Sequence, residues 1–120
     1  MYFTSDEKKA IARVAVGMEL ADGTESPKEF FMIAPVFQKL GIVNEELEAA
    51  SKMSLVEAMK IISNMTANEK RFVSAFLGAI IIADADISDK EVALWRLISS
   101  ICEFPQMSIV ESPKILNSYL

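Results

Sequence analysis

One stretch near the middle of the chain, residues 66–91, restricts the fold more than any other part of the sequence. It begins with Thr-Ala-Asn-Glu, continues as an almost unbroken apolar run over residues 72–83, and ends in a group of acidic residues. The run is too long for a typical strand and too short to span a lipid bilayer. Because a helix that is apolar on every side must be surrounded by other helices, residues 67–84 are predicted to form the central, buried helix of the protein.

The same stretch occurs earlier in the chain. Residues 4–29 align with residues 66–91 without a gap, at a constant offset of 62 residues (from 4 to 66 and from 29 to 91). Identical residues occur at both ends of the alignment, in the pairs Thr4/Thr66, Glu7/Glu69, Lys8/Lys70, Ala21/Ala83, Asp22/Asp84, Ser26/Ser88, Lys28/Lys90 and Glu29/Glu91. Self-similarity at a fixed offset indicates a repeated supersecondary unit. Since a solenoid needs three or more copies, we predict two helix pairs related by a pseudo-twofold axis, with the first helices of the two pairs adjacent at the centre.

The remaining patterns predict an all-α fold. The sequence contains neither period-two alternation nor hairpin turn pairs, so we expect one compact bundle of about six or seven helices in a single domain, residues 1–120. The predicted organisation follows the chain in four parts: a first repeat over about 4–41, connecting helices over 42–65, a second repeat over about 66–104, and a C-terminal tail over 105–120.

Five predicted helix starts carry the capping-box pattern, in which a serine or threonine N-cap is followed three residues later by glutamate. They are Thr4/Glu7, Ser26/Glu29, Ser54/Glu57, Thr66/Glu69 and Ser88/Glu91. Asn44 is predicted to cap a further short helix that runs to about Ser51. A last short helix is predicted beyond Ser112-Pro113.

Glycine and proline positions add three expectations about these helices. Gly23 and Gly41 are predicted to end the first two helices, since glycine readily adopts the left-handed conformation. Pro35 is predicted to kink or break the second helix. Gly17 and Gly78 lie inside predicted helices, where each costs about 1 kcal/mol relative to alanine. We expect that a close crossing of the two central helices compensates for this cost.

Charge and residue content exclude several classes of function. A net charge of −5 and an isoelectric point near 4.7 argue against nucleic acid and anionic membranes as partners, because phosphate binding needs a basic face. The chain has no histidine, which removes Ser-His-Asp and Cys-His catalysis and nearly every zinc or copper site. A glycine-rich phosphate loop is also missing from the sequence.

The single cysteine, Cys102, rules out an internal disulfide and fits a reducing compartment. On an apolar helix it is expected to be a small buried residue. The first residues show neither the basic nor the apolar region of a signal peptide. A cytoplasmic location without membrane insertion is therefore predicted.

Carboxylates remain as candidates for chemistry. Each repeat places an aspartate at a helix end and a glutamate seven residues later, in the first turn of the next helix. The candidate metal ligands are Asp22 and Glu29 in the first repeat, and Asp84, Asp86 and Glu91 in the second. Their oxygens suit hard cations such as Ca²⁺, Mg²⁺ or Mn²⁺, although the spacing is not that of an EF-hand loop.

A structural interpretation of the same acids stays open. Glu29 and Glu91 occupy the third position of a capping box, at the positive end of a helix dipole. Asp22 and Asp84 can each form an Asx-turn with the backbone two residues on. On the other hand, a carboxylate beside a helix C-terminus is disfavoured by about 0.3–1 kcal/mol, yet both repeats place one there.

The pattern Ala21-Asp22-Gly23 followed by Glu29, repeated as residues 83–88 followed by Glu91, resembles the TerB-like family of tellurite-resistance-associated proteins. The resemblance covers about residues 4–116. It implies a small, acidic, all-helical domain built from two related helical halves. It also implies that the paired acidic positions form a patch that binds a divalent metal or a protein partner; these positions are Asp22, Glu29, Asp84 and Glu91.

Three functions are compatible with these observations. The first is a non-enzymatic module of the stress-response kind, whose acidic patch binds a divalent cation or a protein partner. The second is an enzyme that uses carboxylates as acid and base, as glycosidases do; a compact bundle without cleft-building loops argues against it. The third is a structural scaffold in which the acids serve as helix caps. We expect no catalytic residue and no cofactor other than a divalent cation.

Overall fold

The computed structural model describes residues 1–21, 23, 27–83 and 87–120, and for Pro27, Glu29 and Phe30 it describes the backbone alone. These residues form seven α-helices and no strand: α1 Ser5–Glu19, α2 Pro27–Leu40, α3 Asn44–Lys52, α4 Leu55–Ser63, α5 Ala67–Ala83, α6 Asp89–Cys102 and α7 Ser112–Asn117. The prediction of an all-α bundle is confirmed. None of the described helices is both long enough and apolar enough to cross a membrane.

The central helix is α5, as the apolar run predicts. Every residue from Phe72 to Ile81 is buried, and the helix contacts α1, α2, α6 and α7. Burial of a large apolar side chain contributes about 1.5–3 kcal/mol. Since α5 buries such residues on all of its sides, the other helices are arranged around it.

Helices α1 and α5 contact each other, as predicted for the first helices of the two repeats. Their N-terminal ends meet through the rings of Phe3 and Phe72, whose centroids are 5.7 Å apart. Helix α1 also contacts α2 and α6, and α5 contacts the same two helices. The pseudo-twofold repeat itself stays a prediction, because residues 22, 24–26 and 84–86, which belong to its turns, lie outside the described residues.

Two capping boxes form as predicted. The Thr4 N–H donates to Glu7 Oε1 at 2.8 Å, and the Glu7 N–H donates to Thr4 Oγ1 at 3.2 Å. Thr66 and Glu69 make the same two bonds, at 2.9 and 3.1 Å. Each box satisfies two backbone donors at a helix start, so the first residues of α1 and α5 are fixed by local hydrogen bonds.

Glycine follows the first two helices, although α1 ends before the residue next to Gly23 is reached. Helix α1 ends at Glu19, and Gly23 follows in the left-handed conformation with a φ of 81°. Helix α2 ends before Gly41, whose φ is 70°. The Ile42 N–H donates to the Phe37 carbonyl at 3.0 Å, which is the Schellman arrangement. The prediction that Gly41 ends the second helix is confirmed.

Two helix starts differ from the prediction. Asn44 is the first residue of α3, and the N-cap residue is Val43. Since valine has no side-chain acceptor, the helix start is held by Glu46, whose Oε1 accepts from the Val43 N–H at 3.0 Å. Helix α7 includes Ser112 and Pro113 instead of beginning beyond them, because proline is compatible with the first turn of a helix.

Pro35 is predicted to kink or break the second helix; the break is wrong, since α2 continues through this residue to Leu40, and the kink stays a prediction. Pro35 is exposed, whereas Ile33 and Val36 are buried. The proline ring therefore lies on the solvent side of α2. Because proline has no N–H, it cannot donate to the carbonyl group four residues earlier, and water can hydrate that carbonyl there. Phe31 belongs to the same outward side and is 73% exposed.

The expected glycine crossing of α1 and α5 is also wrong. A Cβ atom on Gly78 would come within 2.7 Å of the Ser112 Cβ in α7 and 3.5 Å of the Trp95 ring. A Cβ atom on Gly17 would meet only the guanidinium group of Arg13, at 2.9 Å. Gly78 therefore allows α7 to approach α5 closely, and Gly17 has no helix packed against it at this distance.

The C-terminal residues close over the start of α5. The Tyr119 hydroxyl donates to Asn68 Oδ1 at 2.8 Å and accepts from Arg71 Nη1 at 3.1 Å. The Tyr119 ring meets Phe72 edge-on, with the centroids 5.5 Å apart. These contacts hold the segment after α7 against the central helix.

Candidate functional site

Among the five predicted metal ligands, Glu91 is the one whose side chain the structure describes. Asp22, Asp84 and Asp86 lie outside the described residues, and so does the side chain of Glu29. Their assignment as ligands stays a prediction. Within the part of the chain that is described, no group of three or more Asp, Glu, His or Cys side chains is arranged to hold a metal ion.

Glu91 lies in the first turn of α6 and its side chain is 1% exposed. The Ser88 Oγ accepts from the Glu91 N–H at 3.5 Å, so Ser88 caps α6 as predicted. A glutamate is almost never buried to this degree unless neighbouring groups compensate its charge. The N-terminal end of the α6 dipole supplies part of that compensation.

The glutamates at the equivalent positions of α1 and α5 are placed differently. Glu7 and Glu69 are half-buried, and each returns a hydrogen bond to the backbone of its threonine cap. Because their carboxylates stay in contact with water, capping explains them fully. Capping alone does not require the burial that Glu91 shows.

The helices that flank the predicted acids form one contacting group. Asp22 follows α1, Glu29 lies in the first turn of α2, Asp84 and Asp86 follow α5, and Glu91 lies in α6. Helix α5 contacts α1, α2 and α6, and α1 contacts α2 and α6. The two acidic segments are therefore attached to helices that pack against one another.

A second buried carboxylate, Glu46, was not predicted from the sequence. It is 7% exposed, and its Oε2 accepts from the Ser5 hydroxyl at 2.6 Å. This hydrogen bond is the main reason why the pKa of Glu46 lies below its ordinary value; burial opposes the effect, and the Val43 N–H with the charges of Lys8 and Lys9 adds to it. Glu46 thus joins the start of α1 to the start of α3, which is a structural role.

The thiol of Cys102 is fully buried, as predicted. Its Sγ donates to the Met59 carbonyl at 3.5 Å, and burial raises the pKa of the thiol. A buried thiol with a raised pKa has little thiolate and is a poor nucleophile. Cys102 is therefore part of the core and no candidate for catalysis.

A groove of about 800 Å³ lies beside the second half of α6. Trp95 and Arg96 line it from the helix, and the irregular segment 104–111 forms much of the other side. No motif in that segment predicts a binding surface. The one available signal is the apolar loop after α6, which begins with Phe104 and Pro105, and such a loop is equally typical of packing.

Comparison with known proteins identifies a relative without identifying a function. No protein-family model matches the sequence, and no curated protein matches it. Among solved structures, the crystal structure of a protein of unknown function from Porphyromonas gingivalis is similar, with a TM-score of 0.83 and 33% sequence identity. The similarity covers 97% of this chain and 98% of that chain, so it extends over nearly the full length of both.

Proposed function

We propose a function for this protein from the premise that the chain belongs to the same family as the Porphyromonas gingivalis protein of unknown function. Within that family we propose that it is a non-enzymatic module of the TerB-like kind. The support for this is the sequence pattern around Asp22 and Glu29, repeated around Asp84 and Glu91, on a bundle of helices that contact one another.

The proposed activity is the binding of a divalent cation, Ca²⁺, Mg²⁺ or Mn²⁺, by the acidic segments. The burial of Glu91 is the observation that supports it most, because a carboxylate removed from water is stabilised by a nearby cation. Asp22, Glu29, Asp84 and Asp86 are the further proposed ligands. Ca²⁺ takes six to eight oxygen ligands, and backbone carbonyls and water would complete this set.

A basic protein partner is the second candidate for the same acidic segments. The chain has 17 acidic residues against 12 lysines and arginines, so its overall field attracts positively charged surfaces. A scaffold role without any ligand is the remaining alternative, and it is favoured by the two capping boxes in which glutamate acts as a cap alone.

The proposed setting of this module is the cytoplasm, since a chain with one buried cysteine suits a reducing compartment. Its association with the stress response rests on the TerB-like resemblance. Tellurite resistance does not follow from that resemblance.

Calorimetric titration of the chelated protein with Ca²⁺, Mg²⁺ and Mn²⁺ tests the proposal. We expect binding heat with at least one ion, and its loss in an Asp22→Asn/Asp84→Asn double variant. Glu91→Gln is expected to weaken the same binding. Glu69→Gln is the matched control, because it removes the carboxylate at the equivalent position of α5 and is expected to leave binding unchanged.

Each alternative has its own outcome. Absence of heat with all three ions would leave the acids as helix caps and favour the scaffold or the basic partner. Equal heat in the chain and the double variant would place the ion away from these segments. Thermal unfolding of every variant separates loss of binding from loss of folding.

A further inference from the structure

The groove beside α6 is open to solvent and is large enough to accept a small molecule. Its volume of about 800 Å³ lies within the usual range for small-molecule sites, about 300–1,000 Å³. The buried residues Ser74 and Trp95 form its inner side, and Phe104, Met107 and Ile109 contribute apolar surface from the loop. Glu91 is not among the described residues that line the groove.

Hydrogen bonds fix both sides of the groove. The Trp95 Nε1–H donates to the Ser74 carbonyl at 3.1 Å, and the Ser99 hydroxyl donates to the Trp95 carbonyl at 2.6 Å. On the opposite side, the Ser108 N–H donates to Glu111 Oε1 at 2.7 Å, and the Glu111 N–H donates to Ser108 Oγ at 3.2 Å. A ligand therefore does not have to order these walls, which lowers the entropic cost of binding.

The two charged residues that line the groove differ in their hydrogen bonding. Arg96 is exposed, and its side chain makes no hydrogen bond and no ion pair with the described residues. Glu111 is already engaged by the Ser108 N–H. An uncommitted guanidinium group beside an apolar wall is complementary to a ligand that has an apolar body and one negative group.

We propose that this groove binds a small apolar carboxylate. The hydrocarbon part lies against Trp95 and Phe104, and the carboxylate pairs with Arg96, whose planar guanidinium group matches a carboxylate with two parallel hydrogen bonds. The Glu111 charge opposes the ligand and keeps the affinity modest. This binding is independent of the divalent cation.

Fluorescence titration tests the proposal directly, because Trp95 is the single tryptophan of the chain and lines the groove. The probes are decanoate, decan-1-ol and decylammonium, each below its micellar concentration. We expect a saturable change of Trp95 fluorescence with decanoate, a weaker response to decan-1-ol, and the weakest to decylammonium.

Three variants identify the residues that select the charge. Arg96→Gln is expected to weaken decanoate binding by about two- to fivefold, as for an exposed ion pair. Glu111→Gln is expected to strengthen it, since the amide oxygen still accepts from Ser108 and the negative charge is gone. Lys114→Gln is the matched control, because Lys114 is an exposed cation that does not line the groove, and it is expected to have no effect.

The proposal is overturned by any of three results. These are the absence of a saturable fluorescence change with decanoate, equal affinity for decanoate and decylammonium, and equal effects of Arg96→Gln and Lys114→Gln. All three substituted residues are exposed, so the variants are expected to fold, and their circular dichroism spectra verify this.

Discussion

Gly78 and Ser112 lie so close together that a Cβ atom on Gly78 would stand 2.7 Å from the Ser112 Cβ. Ser112 is fully buried, and its hydroxyl donates to the Ile109 carbonyl at 2.6 Å. The absence of a side chain at Gly78 therefore determines how closely α7 packs on the central helix. This contact explains why an interior glycine is present in α5 despite its cost of about 1 kcal/mol relative to alanine.

We expect Gly78→Ala to destabilise the protein by about 1–3 kcal/mol, because overpacking outweighs the gain in helix propensity. Urea denaturation measures the change. Ser112→Gly in the same chain is expected to restore part of the stability. Gly17→Ala is the matched control: its added methyl meets only the flexible end of Arg13, so it is expected to be neutral or stabilising by up to about 1 kcal/mol. Equal losses in the two alanine variants would contradict the packing role of Gly78.

The serine N-caps of α4 and α6 are expected to differ in strength. The Ser54 Oγ accepts from the Glu57 N–H at 3.0 Å, whereas the Ser88 bond to the Glu91 N–H is 3.5 Å long. Ser54→Ala should cost about 1–2 kcal/mol and Ser88→Ala about 0.5 kcal/mol, the two ends of the range for N-caps. Denaturant midpoints of the two variants provide the comparison, and a larger loss at Ser88 would be inconsistent with these geometries.

The stability contribution of Glu46 should depend on pH. Its pKa in the folded protein is lowered, chiefly by the Ser5 hydroxyl. The contribution is therefore fully present above the pKa of the unfolded chain and is lost as the pH falls through the folded pKa. We expect Glu46→Gln to destabilise the protein by about 1–2 kcal/mol at neutral pH, and the difference from the unsubstituted chain to shrink below about pH 4.

Denaturation of the Glu46→Gln variant and of the unsubstituted chain, from neutral pH to below about pH 4, measures how the stability difference depends on pH. Glu45→Gln is the control, because Glu45 is an exposed neighbour on α3 whose carboxylate accepts no hydrogen bond from the residues that the structure describes. A Glu46→Gln difference that stays constant with pH would show that packing, and not charge, is what the glutamate contributes.

Cys102 should react with thiol reagents only when the protein unfolds. Its side chain is fully buried, and burial raises the pKa of the thiol, so both access and thiolate population are low. A disulfide reagent such as dithionitrobenzoate is expected to label the denatured chain quickly and the folded chain at a rate that follows unfolding. Rapid labelling of the folded chain would mean that the α4–α6 contact around Met59 opens readily.

Local chemistry accounts for what the sequence predicts well. The boxes at Thr4 and Thr66 involve residues three positions apart, and the burial of α5 is a property of its own composition. The partner of Gly78 could not be predicted in this way, because Ser112 comes from a different helix late in the chain. Val43 replaces Asn44 as the cap of α3 for a similar reason: Glu46 is held by Ser5, and that contact depends on the packing of α1 against α3.

The candidate sites show the same limit. Spacing predicts which acids belong together, but the burial of Glu91 depends on how α6 packs within the bundle. The groove at Trp95 depends on the path of the segment 104–111, and no periodic pattern describes an irregular loop. Trp95 is buried and its indole N–H donates to the Ser74 carbonyl, and its identity gives no indication of the surface beside it.

Helix α7 is six residues long, and a helix of this length is not stable in water by itself. Its order therefore depends on attachment to α5, through the fit at Gly78 and the hydrogen bonds of Tyr119 to Asn68 and Arg71. Its amide protons should exchange with solvent through detachment of the whole segment 112–119, in a partial opening that precedes global unfolding. In that state the chain uncovers one flank of its most apolar helix while the rest of the bundle stays assembled.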